Sequence, residues 1–533
     1  MEQLGLDPRQ VQKVVTPVRC DQLEKMLHGY PGDKLSFLLN GFKYGFQIPF
    51  SGTISGNICK NLKSARDNIE VVKQKIQVEI DAGRVAGPFA EKPFPDMQIS
   101  PLGLVPKKEL GQWRIIHHLS FPKGFSINDG IPVENSTVQY QNIDHAVKLI
   151  QKCGPGAFMC KTDIENAYRI VPISPDDHKL LGFAIDGQFF YDKNLAMGLS
   201  ASCNLFEKFS TALHWIAEEK LGVSGCAHVL DDFFLVAPSF LKAKLDLDNF
   251  LEMARKLGVP IKDSKTVPPC TIISFVGIEL DSVAMEKRLP QDKLDKVRSQ
   301  LNSFLKRKKA TLQELQSLIG LLSFACSVVS PGRAFLRRLI DLTVGLNQPH
   351  YRRRLNKEAK ADLAAWSQFI ENFNGKSLFL ADKWLNSTDL NLFTDASNAG
   401  FGGYWGHRWF AHGWPSAFQS HHINVKELFP IVIAVELWAN EWENKCILFH
   451  TDNLSVVHVI NKQSSKDKVI MQLLRRLVVK CLKHNILFQA EHVPGLENSL
   501  ADQLSRLKIS EFLQVFPAMN PEVMHIPKEM LQL

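Results

Sequence analysis

The chain has no paired cysteines, no long apolar run and no internal repeat. Its ten cysteines are scattered without a CxxC pair or regular spacing, which argues against both a zinc ribbon and a disulfide framework. They read as buried thiols in a reducing compartment. The best apolar run, LFPIVIAVELW, carries Glu436 and is too short to span a bilayer. The opening MEQLGLDPRQ lacks the charged-then-apolar pattern of a secretion signal. The expectation is a soluble intracellular protein, cytoplasmic or nuclear, with no membrane partner. No low-complexity tract interrupts it.

The 533 residues suggest three or four folded units at roughly 150 residues per domain. The net charge of +8 is unevenly spread: residues 281–360 hold 17 lysines and arginines against 7 acids, leaving the rest slightly acidic. A basic stretch between near-neutral regions suits a polyanion track, because phosphate contacts dominate nucleic-acid affinity. For Lys306 to Lys309 or Arg352 to Arg354 alone, a solvated helical face is an equal alternative.

Helical periodicity over 64–85 ends before Gly87-Pro88. Residues 100–120 read as two short strands joined by a lysine-rich turn that includes Lys108, and 157–280 alternates β-like and helical runs in an α+β core. A helical segment follows, with 312–329 closed by Ser330-Pro331-Gly332. Polar residues 372–384 mark a boundary, beyond which β-like and helical runs form a second α/β domain.

Two sets of acids stand out. Asp231-Asp232 lies between apolar runs in HVLDDFFLV, and Asp163 ends a β-like run in AFMCKTDIENAYR. A hairpin tip carrying two carboxylates beside a strand-end third brings together hard oxygen donors suited to two Mg²⁺ ions, about 3.5–4 Å apart, clamping an in-line phosphoryl displacement. Mn²⁺ suits oxygen-only sites as well. The second set is Asp395 in LFTDAS, Glu427 in NVKELFP, Asp452 in FHTDN and Asp502 in ENSLADQLSR. Each has a local excuse: Glu427 within an Asn424 capping box, Asp452 as a helix cap, Asp395 as a turn former, Asp502 as a helix-surface acid. Four together at element edges point to a second two-metal site that activates water.

With these motifs in view, residues 60–507 resemble reverse transcriptases, and more closely those of DIRS-type and related LTR-like retrotransposons. The resemblance covers Asp163, LAMGLSASCNLFEKF, the LDD box and FVGIEL (275–280), the last matching the primer grip. The second set resembles a ribonuclease H quartet. The resemblance implies a right-hand polymerase with fingers, palm and thumb followed by an RNase H-like domain: an N-terminal extension over 1–60, fingers and palm over 61–280, thumb and connection over 281–385, the nuclease over 386–507 and a tail over 508–533. It implies metal binding by all seven acids, and RNA template, DNA primer, RNA/DNA hybrid and dNTPs as partners.

Other residues follow from the same resemblance. Lys107 and Arg114 would grip incoming phosphates, and Arg's forked donor with Lys's point charge suits a triphosphate. Tyr168 would exclude a ribose 2′-hydroxyl by overlap, against the alternative of a core tyrosine with a hydrogen-bonded hydroxyl. Gly198 would let backbone approach template or nucleotide, although a tight turn alone also wants glycine. Lys265 corresponds to a proton donor for pyrophosphate. Val229, Met197 and His118 depart from the pattern. HVPGLEN, where Leu496 fills much of the loop, leaves no histidine shuttle. No aspartic-protease DTG motif or zinc knuckle is present. The alternatives are a catalytically silent, host-adopted nucleic-acid-binding scaffold and a nuclease whose polymerase half is inert.

Overall fold

The structure is a computed structural model that describes residues 14–54, 56–107, 111–373, 376–378, 385–390, 392–494 and 498–532. Lys108, most of the 372–384 boundary and Leu496 lie outside the described residues. The chain divides into two compact units, 1–276 and 277–533.

The first unit is built around an antiparallel four-stranded sheet ordered Cys226–Val229, Asp232–Ala237, Phe158–Asp163, Val267–Cys270. Its second strand, DFFLVA, is buried from Phe233 to Ala237, as a strand covered on both faces requires. Helix Phe240–Leu257 packs on this sheet. Ser239 caps its start by accepting from Lys242 N, and Gly258 ends it at φ 75°, a left-handed geometry that glycine adopts without strain.

Residues 1–60, which the sequence leaves hard to read, carry helices Cys20–Met26 and Gly32–Tyr44. Their Leu23, Leu27, Leu38 and Phe42 are buried in the same cluster as Phe206 and Phe209, and Phe42 meets Phe209 edge-on at 4.7 Å. Residues 20–44 are thus part of the core. The helical pattern at 64–85 gives a short turn, Lys63–Arg66, and helix Ile69–Asp81, whose Val72 and Ile76 are buried. It packs over Val85, Leu102 and Phe183. The hairpin expected at 100–120 is present: Leu102–Pro106 pairs with Trp113–His117, from Leu102 opposite His117 to Pro106 opposite Trp113.

In the second unit, helices Gln291–Lys306, Leu312–Ala325 and Lys357–Phe373 follow one another. A capping box between Thr311 and Glu314 opens the second. Part of the basic stretch is internally paired. Arg288 bonds Glu279, Asp281 and Glu286, Arg307 bonds Glu314, and Arg353 donates to the carbonyls of Leu342 and Val344. Beyond it, Leu392–Ala396, Gly400–Trp405 and Arg408–Gly413 form an antiparallel sheet. Leu385–Asn386, Cys446–Thr451 and Leu487–His492 form a parallel one. Helix Ile423–Trp438 is apolar nearly all round and buried, the pattern of a helix enclosed by its neighbours. Phe512 and Met519, from the expected tail, are buried against Tyr404 and Trp409.

Candidate active sites

The first acid set is positioned by strand register. Asp163 lies opposite Asp232, and Val229 opposite Asp232, so Leu230 and Asp231 form a two-residue turn. Leu230 takes φ 54°, a left-handed conformation that non-glycine residues rarely adopt and that concentrates at functional sites. Ile164 N donates to Asp231 O at 3.0 Å, tying the turn to the end of the Asp163 strand. Asp163 is only 4% exposed.

Burial, then the field of Asp163, pushes the Asp231 carboxyl above its ordinary range, with Lys265 and Arg114 opposing. Burial, then Asp163 and Asp231, pushes Asp232 up to about 6. Lys265 Nζ donates to Asp163 Oδ2 at 2.6 Å. Burial draws the ammonium down, but its bond to Asp163 and the fields of all three acids hold it above the ordinary lysine value.

Lys107, Arg114, Asp163, Tyr168, Asp231 and Lys265 line one cleft of about 680 Å³. Tyr168 both lines the cleft and finds a hydroxyl partner, Cys203 Sγ at 3.0 Å, with its ring edge-on to Phe206. Asp232 and Gly198 are outside the cleft lining. At Gly198, φ is 124° and a Cβ would lie 2.0 Å from the His117 carbonyl oxygen. The protein's own backbone therefore accounts for this glycine.

A part-buried ionic chain on the wall of this cleft leaves no sign in the sequence. Arg169 donates to Glu79 at 2.9 Å and pairs with Asp192 at 2.8 Å; Arg84 bonds Glu79 at 2.7 Å; and His117 Nδ1 is 3.1 Å from Asp192. It ties the helix 69–81 and the hairpin bearing Arg114 to the turn that carries Tyr168. Arg169 stands next to Tyr168, but the partners are distant in sequence and follow no motif.

The second set also comes together. Burial, then Asp395 and Asp452, pushes Glu427 up to about 8. Burial pushes Asp395 up to about 6; a bond with Ser505 opposes this, and Asp502 and Asp452 add to it. Three local excuses fall away. The helix cap before Glu427 is His422, the cap after Asp452 is Asn453, and Asp395 lies within a strand opposite Gly402. Asp502 does behave as a helix-surface acid, 44% exposed and paired with Arg506. Asn498 Nδ2 donates to Thr394 O at 2.8 Å, bracing Asp502's helix against the Asp395 strand.

Among the described residues, no three His, Cys, Asp or Glu side chains already form a metal-binding group. The donor chemistry nevertheless fits a hard divalent cation: in both sets oxygen-only donors are held close enough to raise one another's proton affinity. At the first, the Lys265 ammonium supplies the compensating positive charge. Among the described residues, no helix is long and apolar enough to cross a membrane.

No protein-family model matches the chain. It is similar to the Gag-Pro-Pol polyprotein of Mason-Pfizer monkey virus, 22% identical over 323 residues, which cover 58% of this chain and 16% of the polyprotein. It is also similar to Protein P of duck hepatitis B virus (strain China), 24% identical over 163 residues, covering 30% of this chain and 20% of that protein. Among solved structures it superposes on a foamy viral protease-reverse transcriptase in complex with double-stranded DNA, with a TM-score of 0.51 and 14% identity, over 92% of this chain and 84% of that one. A second foamy viral protease-reverse transcriptase, in complex with an RNA/DNA hybrid, gives a TM-score of 0.50 at 14% identity, over 88% of this chain and 62% of that one. The chain is thus similar in sequence to a Gag-Pro-Pol polyprotein and to a Protein P, spanning at most a fifth of the length of either, and shares the fold of a protease-reverse transcriptase.

Proposed function

We propose that the chain is an RNA- and DNA-directed DNA polymerase with ribonuclease H activity, of a DIRS-type, LTR-like retrotransposon. In this reading 61–280 are fingers and palm, 281–385 thumb and connection, and 386–507 the nuclease. The observation that carries it is the convergence of Asp163 and Asp231 with Lys107, Arg114, Tyr168 and Lys265 on one cleft. Two relatives in complex with double-stranded DNA and with an RNA/DNA hybrid support nucleic acid as the partner.

Asp163, Asp231 and Asp232 would hold Mg²⁺ at the first site, and Asp395, Glu427, Asp452 and Asp502 at the second. When bound, such ions lower the pKa of the attacking hydroxyl or water and neutralise charge on the phosphates. Lys107 and Arg114 bind the triphosphate of an incoming dNTP from the hairpin side. Arg offers two parallel donors and Lys a single point charge. The Tyr168 ring, braced by Phe206 and Cys203, fills the space a ribose 2′-hydroxyl would need. Lys265, which lines the cleft and bonds Asp163, would give a proton to departing pyrophosphate.

At the second site, Glu427 and Asp395 hold protons at neutral pH more readily than ordinary carboxyls, so cation binding and proton release are linked there. The test is incorporation of dNTPs on a primed RNA template with Mg²⁺. Template-dependent extension is expected. A well-folded protein that neither extends a primer nor cleaves the RNA of a hybrid would leave the silent binding scaffold.

A further inference from the structure

The loop 118–131 is rigidly built, yet it turns its two largest side chains outward. Leu119 and Ile127 anchor it in the core, and Ser126 is buried with them. Asn128 is fully engaged: Nδ2 donates to Ser120 Oγ and to Gly198 O, both at 2.8 Å, and Oδ1 accepts from Ser200 N at 2.9 Å. Asp129 Oδ2 accepts from Gly124 N, Ser126 N and Ser126 Oγ at 2.7, 3.1 and 2.6 Å. Its charge is therefore directed into the loop. Against this frame, Phe121 is 46% and Phe125 68% exposed, with exposed Lys123 between them.

Folding does not explain two exposed phenyl rings on a loop held by this many bonds. Two exposed rings four residues apart on a fixed backbone offer an apolar surface for binding. The surface continues to the cleft. His117 lines it, the next residue, His118, stacks on Phe121 with centroids 6.1 Å apart and planes at 25°, and Asn128 ties the loop to the Gly198 turn beside cleft-lining Met197.

We propose that Phe121 and Phe125, with Lys123, form a stacking platform for unpaired nucleobases of the template strand as it approaches the cleft. Two exposed rings with a lysine midway between them in sequence suit the bases and phosphates of a single strand, and stacking on a ring face is tolerant of base identity. Lys123 beside the rings, and Lys107 and Arg114 in the adjoining cleft, favour a polyanionic strand over an apolar protein segment. This inference rests on the polymerase reading for its choice of strand.

The full chain would be titrated with primer–template duplexes whose 5′ template overhang is either one nucleotide or about six, within the site sizes of single-strand-binding surfaces. The variants are Phe121→Leu with Phe125→Leu, which keeps apolar bulk without rings, and Phe125→Trp, which keeps a ring. Because both positions are exposed, folding is checked simply by thermal unfolding. The wild type is expected to favour the long overhang by roughly tenfold or more, the worth of stacking one or two bases. Phe125→Trp should keep that preference and the double leucine variant should lose it. A preference that survives in the double leucine variant overturns the platform, as does wild-type primer extension with no overhang preference. Overhang preference in a protein that fails to extend any primer supports the platform and removes the polymerase reading alone.

Discussion

Arg169 and Asp192 form a buried ion pair, Nη2 to Oδ1 at 2.8 Å, and the same guanidinium reaches Glu79. Burial opposes the Asp192 charge, but Arg169 and His117 hold its carboxyl below the ordinary range. Arg169→Met would leave the buried Asp192 carboxylate without its guanidinium, while Glu79 keeps Arg84, and removing one partner of such a buried pair destabilises by about 3–5 kcal/mol. Denaturant unfolding checks this, and a loss below about 1 kcal/mol, the worth of an exposed pair, would contradict it. The sign with pH follows from the depressed value. The contribution is complete above the ordinary carboxylate pKa of 3.8 and fades as pH falls through the lower folded value.

Gly198→Ala is expected to destabilise through backbone alone. A Cβ there would press on the His117 carbonyl oxygen at 2.0 Å, and φ 124° disfavours any side chain. A cost of about 1–3 kcal/mol is expected, read as a lower melting temperature. An unchanged melting temperature with altered nucleotide affinity would instead restore the ligand-approach reading of this glycine.

The second acid set makes metal-free stability fall with rising pH. Glu427, pushed up to about 8 from an ordinary 4.5, keeps a proton in the folded state that the unfolded chain has released across that window. Stability therefore declines from the lower value to the higher. Thermal unfolding in chelator at about pH 5 and about pH 8 should show the decline, and Mg²⁺ should restore more stability at the higher pH. Glu427→Gln should flatten the decline. An equal Mg²⁺ effect at both pH values would argue against metal binding by these acids.

Tyr168→Ala should open the cleft to ribonucleotides. The ring is fixed by Phe206 and by Cys203 Sγ at 3.0 Å, and a pocket that rejects one group by overlap discriminates by roughly 10–200-fold. Single-nucleotide incorporation of dNTP against rNTP measures it. Unchanged selectivity would leave Tyr168 a core tyrosine.

Strand ends, hairpins and the acids at their edges are legible in the sequence because two-residue alternation and turn chemistry are local signals. The Leu102–His117 hairpin and the strand holding Asp395 fall where the pattern puts them. Helix starts are less exact: the expected caps Asn424 and Asp452 give way to His422 and Asn453, which lie one or two residues away and have competing side-chain acceptors. What connects distant segments is not legible. Arg169 and Glu79 are 90 residues apart, and Gly198 meets His117 only in the fold. The core role of residues 20–44 is hidden because their apolar positions are mixed with charge.

The central claim is that two separate acid sets do two separate jobs. The direct measurement is primer extension on an RNA template with Mg²⁺, with cleavage of the RNA strand followed in parallel, for wild type, Asp231→Asn and Glu427→Gln. The account predicts extension lost only in Asp231→Asn and cleavage lost only in Glu427→Gln. Both activities surviving both substitutions, or neither activity in well-folded wild type, would contradict it.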